Sequence, residues 1–358
     1  MKISFVLPGV SRIPVGGFKM AFEYANRLSN RGHEVTLIFN CSSGMKRNKN
    51  IPKLIKLLYY HLGTYCFPTW FKLDSQIKKI CRCKSLSDFN LPDSDIICAT
   101  AIDTAYAISN LSASKGEKIY FIQDFENWNG WTDDQVKKSY CLGMKNIVIA
   151  KWLQKIVKES GADSVLIPNG IDFDVFNVDI PISQRKRPIV SMLYHQGVYK
   201  GSQYGIEALI KLKKIYPALQ AVLFGTPARP KNLPEWIHYI QNATQGQLRK
   251  VYNQSLIYLC PSIKEGFGLT GAEAMACGAA YVASDYGGVH EYTENGRNVL
   301  LSAPRDVDGL VKNLIELLTH KDERIILAKN GYDDIKKLDW NHAVDRFEDV
   351  MQQLIENK

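Results

Sequence analysis

Apolar residues follow two patterns that alternate along the chain. Predominantly apolar runs, such as residues 3–7, 119–122 and 256–260, are typical of strands buried on both faces. Between such runs, apolar residues recur at helical spacing, as they do from Phe18 to Leu28. Strands that alternate with helices indicate βαβ units and parallel sheets. The pattern therefore predicts an α/β fold.

The length of 358 residues suggests two domains, and the βα pattern restarts at residue 189. We expect two doubly wound Rossmann-like domains, residues 1–177 and 189–338. The polar, basic residues 178–188 are interpreted as a linker. We expect residues 339–358 to form a helix that crosses back to the first domain.

The segment 46–84 interrupts the βα pattern and carries the net charge. It holds ten basic residues and one acid, Asp74, so its net charge equals the +9 of the whole chain. Aromatic residues are interleaved with these charges, at Tyr59, Tyr60, Tyr65, Phe67, Trp70 and Phe71. This mixture suits an anionic membrane surface, single-stranded nucleic acid, or an insertion with a solvated lysine face. We predict that the segment contacts an anionic membrane surface and does not bind nucleic acid.

Several features point to a cytoplasmic protein, peripheral on the inner membrane face if the basic segment docks there. No signal-peptide pattern or long apolar run is evident. The eight cysteines lack zinc-type spacing, with Cys81 and Cys83 as the one close pair, so reduced thiols are expected. Asp-x-Asp strings at 93–95, 172–174 and 306–308 lack a matching strand context, so no metal site is predicted.

Residues 261–278 hold the strongest candidate site. A loop with Glu265, Gly266 and Gly268 is predicted to lead into a short helix. This helix would start near Leu269 and end at Gly278, a glycine suited to helix termination. Backbone N–H groups at a helix N-terminus suit a phosphate, and glutamates accept hydrogen bonds from hydroxyl groups. With Glu273 as a second acid, the pattern favours a ligand with both groups, such as a nucleotide sugar.

Two loops of the first half are also candidates. Gly16 and Gly17 form either a ligand-binding turn or an ordinary βα turn. The loop from Gln123 to Trp131 follows a predicted parallel strand, where α/β folds place their chemistry. It is either an acceptor site or a cap on the next helix. As an acceptor site it offers hydrogen-bonding groups and flat rings at Gln123, Asp124, Glu126, Trp128 and Trp131.

In its ordered motifs the chain resembles the family 4 glycosyltransferases, which have the GT-B fold with two domains facing a cleft. The resemblance rests on Glu-x7-Glu at Glu265 and Glu273, the loop ending in Lys200-Gly201, and the string Pro168-Asn-Gly-Ile-Asp172. Gly287-Gly288-Val-x-Glu291 and Asn295-Gly-x-Asn298 also fit, as does the Gly16-Gly17 pair.

The resemblance implies a role for each matching residue. Lys200 would hold a donor phosphate, Glu273 the ribose and Glu265 the hydroxyls of the transferred sugar. Gly16 and Gly17 would lie over the diphosphate. The N–H groups of Phe267, Gly268, Leu269 and Thr270 would lie by the phosphate or sugar. The family retains anomeric configuration and usually uses neither a cofactor nor a metal.

Two positions depart from the family pattern. His195 stands where an arginine is usual, and Gln123 followed by Asp124 stands where a histidine is frequent. We expect Arg12, Lys264 or Arg249 to compensate for the missing charge, unless activity is reduced. The overall prediction is a metal-independent retaining transferase that moves a hexose or deoxyhexose, with a lean to rhamnose. The acceptor would be a glycan or a lipid-linked molecule in polysaccharide assembly. The alternative is a non-catalytic sugar-nucleotide-binding or scaffold subunit.

Overall fold

The computed structural model describes residues 1–46 and 50–357 and divides into two compact units. One unit comprises Met1–Pro168 with Ala343–Lys358, and the other comprises Asn169–His342. The boundary after Pro168 comes earlier than the expected end of the first domain at residue 177. Arg47 and Lys49 of the predicted basic segment lie outside the described residues.

The first unit contains a seven-stranded parallel sheet in the order β3-β2-β1-β4-β5-β6-β7. Its strands are β1 (Lys2–Leu7), β2 (Glu34–Asn40), β3 (Lys78–Arg82), β4 (Ile96–Ala99), β5 (Glu117–Ile122), β6 (Lys145–Val148) and β7 (Ser164–Leu166). Its helices are α1 (Gly16–Asn30), α2 (Ser42–Lys46), α3 (Lys53–Cys66), α4 (Ile102–Ile108), α5 (Asp133–Ser139) and α6 (Lys151–Glu159). The apolar runs of β1, β2, β4 and β5 are buried because helices cover the sheet.

The second unit contains a six-stranded parallel sheet in the order β10-β9-β8-β11-β12-β13. Its strands are β8 (Ile189–Leu193), β9 (Gln220–Gly225), β10 (Ile237–Gln241), β11 (Ile257–Cys260), β12 (Ala280–Ser284) and β13 (Leu300–Ser302). Its helices are α7 (Ser202–Ile215), α8 (Gln245–Gln254), α9 (Leu269–Ala276), α10 (Val307–Thr319) and α11 (Lys321–Ile335). The predicted α/β fold with two parallel sheets is confirmed.

The last helix, α12 (Trp340–Glu356), contributes its residues from Ala343 onward to the first unit. Phe347 is fully buried there, and its ring centroid lies 4.6 Å from that of Tyr24 and 6.0 Å from that of Phe121. Glu348 accepts a hydrogen bond from His33 and pairs with Arg31. Aromatic packing and an ion-pair cluster therefore fix the C-terminal residues on this unit.

Residues 50–84 form a helix and a strand of the first unit. β3 pairs with β2 at the edge of the sheet. The sequence did not predict this strand, because its lysines give it the polar character of a solvated segment. Trp70 and Phe71 pack against Phe22 at centroid distances of 5.7 and 5.5 Å. Those two rings are therefore packed against α1. The aromatic residues of the segment do not all form the single exposed surface that the membrane prediction assumed.

Residues 178–188 pack on the second unit through a buried arginine. The Arg185 guanidinium donates hydrogen bonds to the carbonyls of Tyr252, Ser255 and Gly278 at 2.9–3.3 Å. It also donates to Ile180 and Cys277. Burial lowers the pKa of Arg185 to about 10, and its charge is offset mainly by carbonyl dipoles. The segment expected to be a linker is anchored by these bonds.

Replacing Arg185 with methionine should lower the free energy of unfolding by roughly 2–4 kcal/mol, because several buried carbonyls lose their donor. Urea denaturation followed by circular dichroism measures the change. Arg187→Met is the matched control, since Arg187 is exposed and pairs with Gln220 at the surface. Equal stability of the two variants would contradict the anchoring role.

Glu126 fixes the loop after β5 to the start of α4. Its carboxylate accepts a hydrogen bond of 2.6 Å from the backbone N–H of Ile102. Burial raises the pKa of the Glu126 carboxyl to about 8, opposed by that hydrogen bond and reinforced by the charges of Asp124 and Asp103. The folded chain therefore keeps a proton on Glu126 at neutral pH.

This raised pKa makes stability depend on pH. Between the ordinary pKa of 4.5 and the folded value of about 8, the unfolded chain loses the proton first, so the free energy of unfolding falls as pH rises. Glu126→Gln should remove this pH dependence. The free energy of unfolding that the variant gains over wild type should be roughly 1–3 kcal/mol larger at about pH 8 than at pH 5. Urea unfolding at both pH values tests it, with exposed Glu159→Gln as the control. Parallel profiles for wild type and Glu126→Gln would contradict the assignment.

Candidate functional site

Two loops meet at the switch point of the second sheet, where the strand order reverses between β8 and β11. Ligands of open α/β sheets bind in the crevice at such a point, beyond the carboxyl ends of the strands. The loop after β8 runs over residues 194–201, and the loop after β11 over residues 261–268. The N–H of Ile263 donates to the carbonyl of Tyr199 at 2.8 Å and joins the two loops.

Gly201 permits this close approach. Its φ is +59°, and a Cβ atom there would lie 1.9 Å from the carbonyl oxygen of Pro261. Any larger residue would therefore clash with backbone and adopt a disfavoured conformation. The glycine of the Lys200-Gly201 motif thus has a structural requirement of its own, which is to bring the lysine loop against the glutamate loop.

The two loops bring together Lys200 and Glu265. The Lys200 Nζ lies 3.0 Å from Glu265 Oε1, and the Ser262 hydroxyl donates to the same oxygen at 2.6 Å. Burial acts to lower the pKa of Lys200, but the charge and hydrogen bond of Glu265 outweigh it and raise the pKa. A half-buried cation is therefore held in its charged form beside a buried carboxylate.

His195 is next to this pair but is not a second cation. Its pKa is lowered, first by burial and then by the charge of Lys200, with the charge of Glu265 acting in the opposite direction. Its Nδ1 accepts a hydrogen bond of 2.8 Å from the N–H of Gly197, which orients the ring. The imidazole is thus neutral at physiological pH, and Nδ1 is an acceptor.

The residues from Gly266 to Thr270 form a turn that opens α9. Gly268 has a φ of +88°, and a Cβ there would lie 2.1 Å from the Tyr286 hydroxyl oxygen. Under this turn the hydroxyls of Tyr281, Tyr286 and Tyr292 are hydrogen-bonded in series, and Tyr292 donates to the Gly268 carbonyl at 2.8 Å. Sequence analysis missed these tyrosines, because their spacing gives no motif.

Phe267 and Thr270 face inward from the turn. The Phe267 ring is buried and lies 5.2 Å from that of Tyr292, and Thr270 accepts a hydrogen bond of 2.8 Å from Tyr258. Leu269 is the first residue of α9. The side chains of Phe267 and Thr270 thus have partners inside the second unit, which leaves the backbone of the turn as the group that a ligand would contact.

Glu273 lies on α9, four residues after Leu269, and is buried with 5% exposure. Burial, and after it the charge of Glu273, raise the pKa of the Tyr252 hydroxyl. Glu265 and Glu273 thus occupy different surroundings: Glu265 neutralises a lysine, whereas Glu273 lies close to buried tyrosine.

In the first unit, Gly16 and Gly17 begin α1, and Gln123 lies against them. The side-chain amide of Gln123 donates to the Gly17 carbonyl at 3.2 Å. A Cβ on Gly17 would lie 3.4 Å from Gln123 Nε2, so this contact is close. The structure therefore brings together two of the predicted site motifs at the carboxyl edge of the first sheet.

The other residues of this loop have structural partners. Asp124 accepts a hydrogen bond of 2.8 Å from the N–H of Phe125. The Trp131 indole donates to Asp103 at 2.8 Å, and its ring stacks on Tyr106 at 5.3 Å. Trp128 is 44% exposed. With Glu126 bonded to α4, the loop caps a helix as well as presenting polar groups and a ring.

Two of the residues expected to supply the missing charge are engaged elsewhere. Arg249 pairs with Asp179 and donates to Asn177 at 2.6 Å. The Arg12 guanidinium lies over the Tyr59 ring at 4.0 Å from its centroid. Both arginines therefore have partners of their own, and compensation for the arginine replaced by His195 stays a prediction.

Comparison with known proteins finds a family similarity within the second unit. Residues 178–334 match the family described as glycosyl transferases group 1. A Campylobacter jejuni enzyme, N,N'-diacetylbacillosaminyl-diphospho-undecaprenol alpha-1,3-N-acetylgalactosaminyltransferase, is 30% identical over 178 residues, which cover 48% of this chain and 46% of the relative. The matches span about a quarter to a half of the length of the curated relatives.

Solved structures extend the similarity to the full chain. Sucrose-phosphate synthase of Thermosynechococcus elongatus superposes with a TM-score of 0.77 at 15% identity, with 100% of both chains covered. The Anabaena protein HepE, solved with UDP and glucose, gives 0.72 at 15% identity, with 99% of this chain and 100% of that chain covered. This similarity establishes the GT-B fold. Residues 178–334, which are less than half of the chain, are similar to the glycosyl transferases group 1 family.

Proposed function

We propose that this protein is a retaining, metal-independent glycosyltransferase. It moves a hexose or deoxyhexose from a nucleoside-diphosphate sugar to a glycan or lipid-linked acceptor. The observation that carries the proposal is the ion pair between Lys200 and Glu265 at the switch point of the second sheet. A half-buried ammonium beside a buried carboxylate provides one group for a phosphate and one for sugar hydroxyls.

Donor binding would divide this ion pair between two parts of the ligand. The diphosphate replaces Glu265 as the counterion of Lys200, and the Glu265 carboxylate accepts hydrogen bonds from the transferred sugar. The N–H groups from Phe267 to Thr270 lie at the start of α9, where a helix dipole favours negative charge. Glu273 binds the ribose hydroxyls. Each group is fixed before the donor arrives, so little reorganisation is needed.

Bond cleavage places extra negative charge on the departing nucleoside diphosphate, and fixed cations and dipoles stabilise that charge. Here Lys200 supplies the full positive charge, because His195 is neutral and acts through hydrogen bonding. In the first unit, Gly16 and Gly17 supply backbone N–H groups for the diphosphate. Gln123 and Asp124 act at the reacting centre, and Glu126, Trp128 and Trp131 bind the acceptor.

Two comparisons support this class of substrate. HepE was solved with UDP and glucose, and the pneumococcal transferase GtfA was solved with UDP and N-acetylglucosamine. The Campylobacter jejuni relative is named for a diphospho-undecaprenol acceptor. We propose a uridine or related nucleotide donor and a role in polysaccharide assembly. Rhamnose is the deoxyhexose to be compared with glucose and N-acetylhexosamines in a donor screen.

Lys200→Met and Glu265→Gln should each slow sugar transfer by roughly 100-fold to 1,000-fold, because each removes a group that contacts the donor in the transition state. Transfer is measured as release of nucleoside diphosphate in the presence of a lipid-linked acceptor pool. Exposed Lys214→Met and Glu294→Gln are the matched controls. Thermal unfolding of all four variants separates lost activity from lost fold.

The same variants test the site against a scaffold role. Calorimetry with UDP-sugars measures donor affinity independently of turnover. A wild-type chain that binds a donor and never transfers it would establish a non-catalytic module, which the neutral His195 would then explain. Full activity in Lys200→Met would show that the proposed site is wrong.

We also propose that α3 docks the first unit on an anionic membrane. Its apolar residues lie on one exposed face, with Leu54, Leu58, Leu62 and Tyr65 between 55% and 76% exposed. Lys53 is exposed at the first turn of the same helix. An apolar stripe on a helix with an exposed lysine at one end suits the boundary between acyl chains and anionic headgroups. No helix among residues 1–46 and 50–357 has the length and apolar character needed to cross a bilayer.

Sedimentation with vesicles that contain phosphatidylglycerol tests the docking. Wild type should bind at low salt and less at high salt, since the attraction to anionic lipid is screened. Leu58→Glu should abolish binding, and Lys53→Gln should weaken it about 5-fold, near 1 kcal/mol per lysine. Ile326→Glu, on a similarly exposed isoleucine of α11, is the control. Absence of wild-type binding at low salt would exclude this surface.

A further inference from the structure

Four side chains of metal-binding type converge at the edge of the first sheet, and they form what we call the thiol–imidazole cluster: Cys41, His61, Cys81 and Cys83. They come from three places in the chain. Cys41 follows β2, His61 lies on α3, and Cys81 and Cys83 lie at the end of β3. The spacing along the sequence gives no zinc pattern, so only the fold reveals this group.

The sulfur–sulfur distances to Cys81 match a tetrahedral site. The Sγ atoms of Cys81 and Cys83 are 3.6 Å apart, and those of Cys81 and Cys41 are 4.0 Å apart. The ligand atoms of His61, Cys81 and Cys83 all lie within 4.8 Å of one another. Zinc bonds of about 2.3 Å to sulfur place tetrahedral ligands roughly 3.8 Å apart. Small side-chain rotations would place one ion among His61, Cys81 and Cys83, and a movement of the Cys41 side chain would complete the tetrahedron.

We propose that the thiol–imidazole cluster binds one zinc ion in a closed, structural Cys3His site. Three thiolates and an imidazole are the donor set of structural zinc, and four protein ligands leave no open position for chemistry. This site is separate from the proposed sugar-transfer site, which lies on other loops, and the transferase proposal remains metal-independent.

Lysines lie near one side of the cluster. Cys83 lines an open cavity of about 710 Å³ together with Lys46, Lys53, Lys56 and Lys84. Their ammonium groups would offset the net negative charge of a zinc ion bound by three thiolates. The cavity also provides a route from solvent to the cluster.

A metal would supply the anchoring that apolar burial does not supply to α3. Only Gly63 and Thr64 of its fourteen residues are buried. A helix of this length is marginal by itself in water, and most helices are stabilised by packing of an apolar face. Here the apolar face is exposed, so coordination through His61 would hold the helix to β2 and β3. The ion would thereby fix the orientation of the exposed face.

Zinc content of the full chain tests this proposal. Protein purified in reducing, zinc-supplemented buffer should contain one zinc ion per chain by mass spectrometry of the metal. Cys81→Ser and His61→Ala should reduce the content at least 10-fold. Cys141→Ser is the matched control, because Cys141 is an exposed thiol on the loop after α5. His61 is itself exposed, so its replacement leaves no cavity and keeps the test independent of folding.

Cobalt provides a second readout on the wild-type chain. Cobalt added to metal-free protein should produce thiolate-to-metal charge-transfer absorption at one equivalent, which His61→Ala weakens. Chelation should increase proteolysis within residues 50–84 and leave the second unit unchanged. Folded wild type without zinc and without this absorption would overturn the proposal. So would a Cys41–Cys81 or Cys81–Cys83 disulfide found in the protein as isolated from cytosol.

Discussion

The ion pair between Lys200 and Glu265 is the constraint on which the second unit's site depends. Each charge is too deeply placed to remain unpaired, because moving an ion out of water costs several kcal/mol without compensation. The pair therefore requires two loops from different strands to stay in contact. Gly201 permits that contact by its positive φ and its missing Cβ, and the backbone bond from Ile263 to Tyr199 maintains it.

The tyrosines beneath the glutamate loop extend the same constraint. Tyr281, Tyr286 and Tyr292 connect their hydroxyls in series and end on the carbonyl of Gly268, so the turn that opens α9 rests on a rigid polar support. Rigid support matters because a preorganised set of dipoles stabilises charge better than one that must rearrange. The neutral state of His195 follows first from burial, which lowers its pKa, and then from Lys200, which is already a cation close by.

The first unit buries the apolar surface of its sheet but leaves one apolar helix face exposed. Its sheet core is covered by helices and by Phe347 of α12, whereas α3 turns an apolar face outward. Glu126 and Arg185 show, one in each unit, that a partly or fully buried ionisable group can serve as an anchor when it is hydrogen-bonded to backbone N–H or carbonyl groups. Neither residue type reveals such a role in the sequence, where both are typical of surfaces.

The sequence by itself determined the alternation of strands and helices, because burial on both faces demands continuous apolar runs and one-sided burial demands helical spacing. It also determined the Glu-x7-Glu and Lys-Gly motifs, which depend on local turns and a helix start. Tertiary structure decided which side chains meet. The pairing of Lys200 with Glu265 joins residues 65 positions apart, and the thiol–imidazole cluster draws on three elements. Long-range contacts also decided strand β3, the anchoring of Arg185 and the packing of Trp70. In the sequence alone, each of these looks like part of a solvated segment, because its partner is distant along the chain.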